Sequence, residues 1–120
     1  MMNIDLKEAR SFLGVTVSKT KYSAKAVRNL EFDIDTDYVM SLLTQQQGKC
    51  ALTGWDLEFS RGGSYGYGTN PKGCTMDRKN NNRGYVQGNV QLVCWKANRI
   101  KGELNDNEFK AFCKLVADHA

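Results

Sequence analysis

The segment from Cys74 to Lys101 has the sequence CTMDRKNNNRGYVQGNVQLVCWKANRIK, and it contains the clearest structural pattern in this chain. Two short apolar stretches flank a loop rich in asparagine and glycine, which predicts two strands joined by a turn. The second stretch runs directly into a basic segment that predicts a helix. Asp77 ends the first strand and Asn98 faces inward from the helix, so we expect oxygen atoms that suit one hard cation.

Charge is distributed unevenly along the chain. Residues 72–101 hold seven Lys/Arg and one acid, and residues 1–30 hold six basic and two acidic groups. Residues 31–71 hold two basic and six acidic groups, and the net charge is +4. Basic residues around a cation site predict a polyanionic ligand rather than a merely solvated face. We therefore expect phosphodiester chemistry on nucleic acid.

Length and composition predict one intracellular domain. The 120 residues, 41% hydrophobic and 25% charged, suit a single globular domain over 1–120. The N-terminus lacks the apolar region of a signal peptide, and no apolar run is long enough to span a bilayer. We expect a cytoplasmic protein with reduced cysteines and no membrane partner.

The cysteine spacing argues against structural zinc. The chain has four cysteines and no C-x-x-C pair: Cys50, Cys74, Cys94 and Cys113. Thr53 and Ala97 stand where the second ligands of two zinc knuckles would follow Cys50 and Cys94. Zinc is therefore not expected, and Cys50 and Cys94 are expected to lie close together as small buried groups.

Helices are expected on both sides of the central segment. A basic helical region, 1–35, contains predicted helices at 5–13, ended by Gly14, and at 23–30. A stronger helix is predicted at 37–47 with Thr36 as its N-cap.

The remaining elements complete a core motif of about 48–102. The glycine-rich stretch 60–73 is predicted to be a long active-site loop. The C-terminal helix, 106–118, has an apolar stripe that we expect to pack in the core: Phe109, Phe112, Leu115 and Val116.

These motifs together resemble the HNH, or ββα-metal, endonuclease family, in particular small phage-type members with Asp-Arg in place of Asp-His. The similarity spans about residues 20–115, and the matching motifs are Cys50-x-x-Thr53-Gly54, Met76-Asp77-Arg78, Gly84-Tyr85, Gly88-Asn89-Val90 and Cys94-x-x-x-Asn98-x-x-Lys101. The resemblance implies a small α+β domain with a ββα-metal motif flanked by helices. It also implies a Mg²⁺- or Mn²⁺-dependent DNA endonuclease encoded by a phage or mobile element.

The family pattern assigns roles to four residues. Asp77 and Asn98 would be the metal ligands, with water and phosphate oxygens completing the shell of Mg²⁺. Asn89 would brace the site. Arg78 occupies the position where most of the family has a histidine general base, and a guanidinium cannot accept a proton near neutrality. Arg78 would instead clamp the scissile phosphate.

The group that activates water is left open by the sequence. Tyr65 or Tyr67 of the glycine-rich loop could approach the site, and a metal-bound water is the other alternative. The single histidine, His119, lies next to the C-terminus, which makes it a weak candidate.

Double-stranded DNA is the expected partner. Basic residues around the site are expected to contact its phosphates: Lys79, Arg83, Lys96, Arg99 and Lys101. Cutting both strands with one small site normally requires two copies, so a homodimer is left open. The departure at Arg78 leaves two rival functions, namely a DNA-binding protein of this fold without turnover, and a phage protein-interaction module on the same fold.

Overall fold

One long helix dominates the N-terminal third of the chain. The computed structural model describes residues 2–60 and 70–119. Helix α1, Leu6–Tyr22, begins at Asp5, whose carboxylate accepts hydrogen bonds from two N–H groups of the first turn at 3.0 and 3.1 Å. It continues through Gly14 because Leu13 and Val17 extend its buried face. The expected break at Gly14 is therefore wrong, and a π-helical turn, Ser23–Val27, follows the helix directly.

Helix α2, Thr36–Gln45, packs against α1 and the sheet. Its N-cap is Asp35, one residue before the expected Thr36, and the Asp35 carboxylate accepts from the N–H of Tyr38 at 2.8 Å. After the helix, the backbone turns at Gly48, whose φ is +73°. A tight turn follows, closed by the N–H of Cys50 donating to the carbonyl of Trp55 at 2.7 Å.

The predicted hairpin and helix are confirmed. Strands β1, Cys74–Arg78, and β2, Val90–Cys94, pair antiparallel, with Cys74 opposite Cys94 and Arg78 opposite Val90. Helix α3, Trp95–Lys101, starts at the residue after β2 and packs on both strands. Every residue of β2 is buried, because this strand lies between α3 and α2. The chain is thus an α+β protein with a ββα unit at its centre.

Two glycines shape the β1–β2 loop for different reasons. Glycine in such a loop ordinarily supplies a positive φ. Gly88 does so, with φ +90°. Gly84 does not, and instead lies against the backbone of Glu31, where a Cβ atom would overlap main-chain atoms. This close approach lets the N–H of Tyr85 donate to the carbonyl of Glu31 at 2.9 Å, which joins the loop to the N-terminal region.

Helix α4, Asp106–Asp118, has no buried residue. Its N-cap is Asn105, whose backbone N–H donates to the Glu108 carboxylate at 3.0 Å. Phe112 is 58% exposed and Leu115 is 69% exposed. The expectation that this apolar stripe packs in the core is therefore wrong, because no element among residues 2–60 and 70–119 covers it. In the same described residues, no helix is long and apolar enough to cross a membrane.

Candidate active site

The site forms where α3 packs on one face of the hairpin. Thr75 and Asp77 are two positions apart on β1 and therefore share that face. Asn98 of α3 lies over Thr75, and its Nδ2 donates to Thr75 Oγ1 at 2.9 Å and to the carbonyl of Met76 at 3.5 Å. Lys101, one helical turn later, lies over Asp77. The helix thus places one amide and one ammonium on the strand that carries the predicted metal ligand.

Asp77 is 6% exposed, and its two carboxylate oxygens differ in their surroundings. Oδ2 accepts from Gln91 Nε2 at 2.9 Å and from Lys101 Nζ at 2.6 Å. Oδ1 accepts no hydrogen bond from residues 2–60 or 70–119. In those ranges every buried side-chain nitrogen or oxygen has a hydrogen-bond partner, so Oδ1 must reach solvent. Asp77 therefore has one fixed oxygen and one open oxygen.

Lys101 is the largest fully buried side chain in the described structure, at 1% exposed. Its ammonium contacts Asp77 Oδ2 and Asp106 Oδ1, each at 2.6 Å, and donates to the carbonyl of Arg78 at 2.9 Å. Three acceptors match the three N–H donors of a lysine. The expectation that Lys101 contacts a DNA phosphate is wrong, because this ammonium is enclosed by protein and already neutralised.

Gln91 and Asp106 are site residues that the sequence interpretation missed. Gln91 stands opposite Asp77 in the hairpin, and its Nε2 also donates to the Asp106 carboxylate at 3.0 and 3.1 Å. We refer to Asp77, Gln91, Lys101 and Asp106 as the ion cluster. Two carboxylates share one ammonium, so the ion cluster has a formal charge of −1.

A spacing signal for the burial of Lys101 was present in the sequence. Cys94, Ala97 and Lys101 follow one another at intervals of three and four residues, which is the spacing of a single helix face. Cys94 and Ala97 are small and buried, so the same face carries Lys101 into the interior.

Arg78 is anchored by the loop that follows β1. Its Nη1 donates to the carbonyls of Asn81 at 3.0 Å and Arg83 at 2.9 Å, and its guanidinium lies 5.5 Å from the ring centre of Tyr85. Arg28 in turn donates to the Tyr85 hydroxyl at 3.3 Å. Within the described residues, Nε and Nη2 of Arg78 have no hydrogen-bond partner, so these donors reach solvent.

Asn89 is 7% exposed and ties the two ends of the β1–β2 loop together. Its Nδ2 donates to the carbonyls of Asn80 at 3.0 Å and Gly84 at 2.9 Å, while its Oδ1 accepts from the N–H of Asn80 at 3.0 Å. The Lys79 N–H donates to the Asn89 carbonyl at 2.8 Å. These contacts hold both ends of the segment 79–84, which carries the two carbonyls that accept from Arg78.

The other basic residues expected at DNA are exposed: Lys79, Arg83, Lys96 and Arg99. Arg83 lies 3.7 Å from the Glu31 carboxylate, and the Arg99 guanidinium lies 5.5 Å from the Trp95 ring. Tyr65 and Tyr67, the expected candidates for activating water, lie outside the described residues.

The oxygens left open in the site suit a hard cation. Asn98 uses its Nδ2 on β1, and its Oδ1 accepts no hydrogen bond from the described part of the chain, so Oδ1 reaches solvent like Asp77 Oδ1. One carboxylate and one amide oxygen, with water available, fit Mg²⁺ or Mn²⁺ better than zinc. No cluster of three or more His, Cys, Asp or Glu side chains with metal-binding geometry occurs in residues 2–60 and 70–119.

Three thiols are buried beside this site, and two of them are adjacent, as expected. The N–H of Cys94 donates to Cys50 Sγ at 3.3 Å, and the Thr53 hydroxyl lies 4.0 Å from Cys94 Sγ. Burial alone would raise the pKa of Cys50, but hydrogen bonds from Thr53 and from nearby backbone N–H groups outweigh burial and lower it. Burial raises the pKa of Cys74 to about 12. Thr53 thus stands beside both thiols at the position of the missing knuckle ligand.

Comparison with known proteins supports the fold. No protein-family model matches the sequence, and no curated protein matches it. The structure is similar to that of the rare-cutting HNH restriction endonuclease PacI, with a TM-score of 0.58 and 19% sequence identity. The match covers 85% of this chain and 74% of that chain. At this identity the likeness shows the fold alone, and it confirms the expected α+β, HNH-like architecture.

Proposed function

We propose that this chain is a divalent-metal-dependent endonuclease that hydrolyses phosphodiester bonds of double-stranded DNA. The observation that carries the proposal is the asymmetric environment of Asp77. Lys101 and Gln91 fix one carboxylate oxygen, and the other reaches solvent. A carboxylate oriented by such partners is suited to bind a cation with little reorganisation. The sequence resemblance also supports an origin in a phage or mobile element.

Asp77 and Asn98 are the proposed metal ligands, through the open oxygen of each side chain. Mg²⁺ is the first choice and Mn²⁺ the second, because both take a few protein oxygens together with water and phosphate. When bound, the ion would supply charge stabilisation for the phosphate and for the departing 3′ oxygen. Asn89 supports this site through the loop, without touching substrate.

Arg78 is the proposed phosphate clamp. Its Nη1 is held by two loop carbonyls, while Nε and Nη2 are available to donate to phosphate oxygens. A guanidinium fixed in this way is a preorganised donor for charge that develops in the transition state. Because it stays protonated, Arg78 cannot take the proton from the attacking water.

Tyr85 is our candidate for the group that handles that proton. Its ring lies beside Arg78 and its hydroxyl accepts from Arg28, so it is the tyrosine that the described residues bring next to the clamp. Delivery of the proton to solvent water remains the alternative pathway. A Tyr85→Phe variant separates the two, since it keeps the ring beside Arg78 and loses only the hydroxyl.

Four exposed basic residues are the proposed DNA contacts: Lys79, Arg83, Lys96 and Arg99. They surround the site on the loop and on α3, and exposed cations of this kind give affinity that decreases with salt rather than sequence readout. Two copies of the chain would be required for cleavage of both strands at one position.

Plasmid cleavage with Mg²⁺ or Mn²⁺ tests the proposal. We expect supercoiled plasmid to be nicked or linearised by the wild type, and Asp77→Ala to reduce the rate by about 100-fold or more. Asp56→Ala, which removes an exposed carboxylate away from the site, is the matched control and should cut normally. Arg78→His, tested alongside, shows whether a proton acceptor at this position replaces the clamp. Equal cutting by Asp77→Ala and wild type would exclude catalysis through this site.

A second function is favoured by one feature of the ion cluster. Lys101 already neutralises one oxygen of Asp77 at 2.6 Å, which weakens the attraction of this carboxylate for a metal ion. A DNA-binding protein without turnover would retain salt-dependent binding in EDTA and cleave nothing with any divalent metal. Gel-shift and cleavage measurements on the same preparation distinguish it from the endonuclease.

A further inference from the structure

We propose that the Lys101 ammonium is a built-in cation of the site and fills a position that would otherwise bind a divalent metal ion. The position is formed by three oxygens, namely Asp77 Oδ2, Asp106 Oδ1 and the carbonyl of Arg78, at 2.6, 2.6 and 2.9 Å from Nζ. Carboxylate and carbonyl oxygens are the ligands that hard divalent cations use in proteins.

The chemistry of this position explains why it is filled by a lysine. Two carboxylates held close together repel each other unless a cation lies between them. A lysine ammonium is compact and has three donors, which matches three acceptors, whereas a planar guanidinium would not fit the same space. Lys101 thereby acts as a positioning residue, because it holds Asp77 Oδ2 inward and leaves Oδ1 facing solvent.

This arrangement limits the number of metal ions at Asp77. In two-metal sites the ions lie about 3.5–4 Å apart, and a carboxylate that bridges them gives one oxygen to each ion. Here the inner oxygen of Asp77 is bonded to Lys101, so only the outer oxygen is open to a metal. We infer that the wild type binds no more than one divalent ion at Asp77.

Removing the ammonium should convert this position into a metal site. In Lys101→Ala, the two carboxylates lose their shared counter-ion and a space opens between them. We expect the melting temperature to fall by about 10 °C or more without metal. Saturating Mn²⁺ should restore about 5 °C of that loss, because a ligand that binds only the folded state stabilises it. The number of Mn²⁺ ions bound per chain, measured calorimetrically without DNA, should rise by one relative to wild type.

Three further variants make the measurement specific. Lys101→Ala with Asp106→Asn lacks one of the two carboxylates and should lose the additional Mn²⁺ ion. Lys101→Met fills the space with an apolar side chain and should be destabilised without being rescued by Mn²⁺. Lys25→Ala, at an exposed lysine of the π-helical turn, should melt and bind Mn²⁺ like the wild type.

The outcome does not depend on nuclease activity, although the inference concerns the site of the proposed function. If Asp77 Oδ1 binds no metal, the number of Mn²⁺ ions per chain should rise from zero in wild type to one in Lys101→Ala. If Oδ1 does bind a metal, that number should rise from one to two. If wild type and Lys101→Ala bind the same number of Mn²⁺ ions per chain, the proposal is overturned. It is also overturned if Mn²⁺ still stabilises the double variant Lys101→Ala with Asp106→Asn. Should Lys101→Ala be recovered unfolded, refolding from urea replaces melting. A helical signal that returns only when Mn²⁺ is present supports the proposal. A helical signal that returns neither with nor without Mn²⁺ overturns it.

Discussion

The ion cluster buries charged groups, whereas the neighbouring helix α4 exposes apolar ones. Both reverse the usual distribution of polar and apolar groups in a folded protein. Lys101 is charged and 1% exposed, whereas Leu115 is apolar and 69% exposed. Asp106 belongs to both regions, since it is the first residue of α4 and a member of the ion cluster. The difference shows that partners, rather than polarity alone, decide burial. Every Lys101 donor has an acceptor, while the apolar side of α4 has no facing element in the described chain.

The energetic consequences of the two regions are also opposite. A buried charge with complete partners contributes little by itself, but removing one partner leaves an uncompensated charge in the interior. An exposed apolar group contributes little to folding in either direction, because it remains in water in the folded state. Mutations should therefore be severe at the buried polar region and mild at the exposed apolar one.

The largest effect in this comparison is expected at Asp106. Asp106→Ala leaves buried donors of Lys101 and Gln91 without their acceptor, and we expect the free energy of unfolding to fall by about 3 kcal/mol. Asp118→Ala, at the other end of the same helix, removes an exposed pair with Lys114 and should cost less than about 0.5 kcal/mol. Urea unfolding of both variants measures the difference, and similar losses would mean that the ion cluster has no special energetic role.

A smaller effect is expected on the apolar side of α4. The double change Leu115→Gln and Val116→Gln replaces exposed apolar residues with a good helix former, so unfolding free energy should change by no more than about 0.5 kcal/mol. Leu92→Ala, in the buried strand β2, should cost about 2–5 kcal/mol in the same urea series. A loss at Leu115 and Val116 comparable to that at Leu92 would show that α4 is covered in solution.

The smallest structural perturbation is alkylation of the thiols. Cys113 is exposed on α4, whereas burial raises the pKa of Cys74 to about 12 and keeps that thiol protonated. Iodoacetamide at pH 8 should add one group rapidly at Cys113, and the Cys113→Ser protein should add none on the same timescale, as followed by mass spectrometry. A Cys113 rate that decreases with protein concentration would contradict an uncovered face and indicate association of two copies.

The hairpin and helix were predictable because each carries a local pattern. The two apolar stretches, the loop rich in asparagine and glycine, and the step from Cys94 into a basic helix are all contained in neighbouring residues. The pairing of Asp77 with Lys101 was not predictable from charge, since a lysine in a basic stretch is ordinarily exposed. Helical spacing placed Lys101 inside, but its partner Asp106 lies in the next helix, where no local pattern connects the two.

The interior of the fold was predicted less well at both ends. Gly14 suggested a helix end, but the helix continues because burial of Leu13 and Val17 on one face outweighs the low helix propensity of glycine. The stripe of α4 indicated correctly which side of the helix is apolar, and periodicity contains no information on whether another element covers that side. Phe112 and Leu115 are exposed for this reason.

The contact between Arg28 and Tyr85 has a consequence for the order of folding. The hairpin closes locally, whereas Arg28 and Tyr85 are 57 residues apart in sequence. Closing such a long loop costs more chain entropy, so the tyrosine beside Arg78 is expected to dock after the strands have paired. A fragment restricted to 48–102 would retain the strands and the helix, and it would lack Arg28 and the Glu31 backbone against which Gly84 rests. The proposed active site is therefore completed by contacts from the N-terminal third of the chain, and a fragment without that third would lack them.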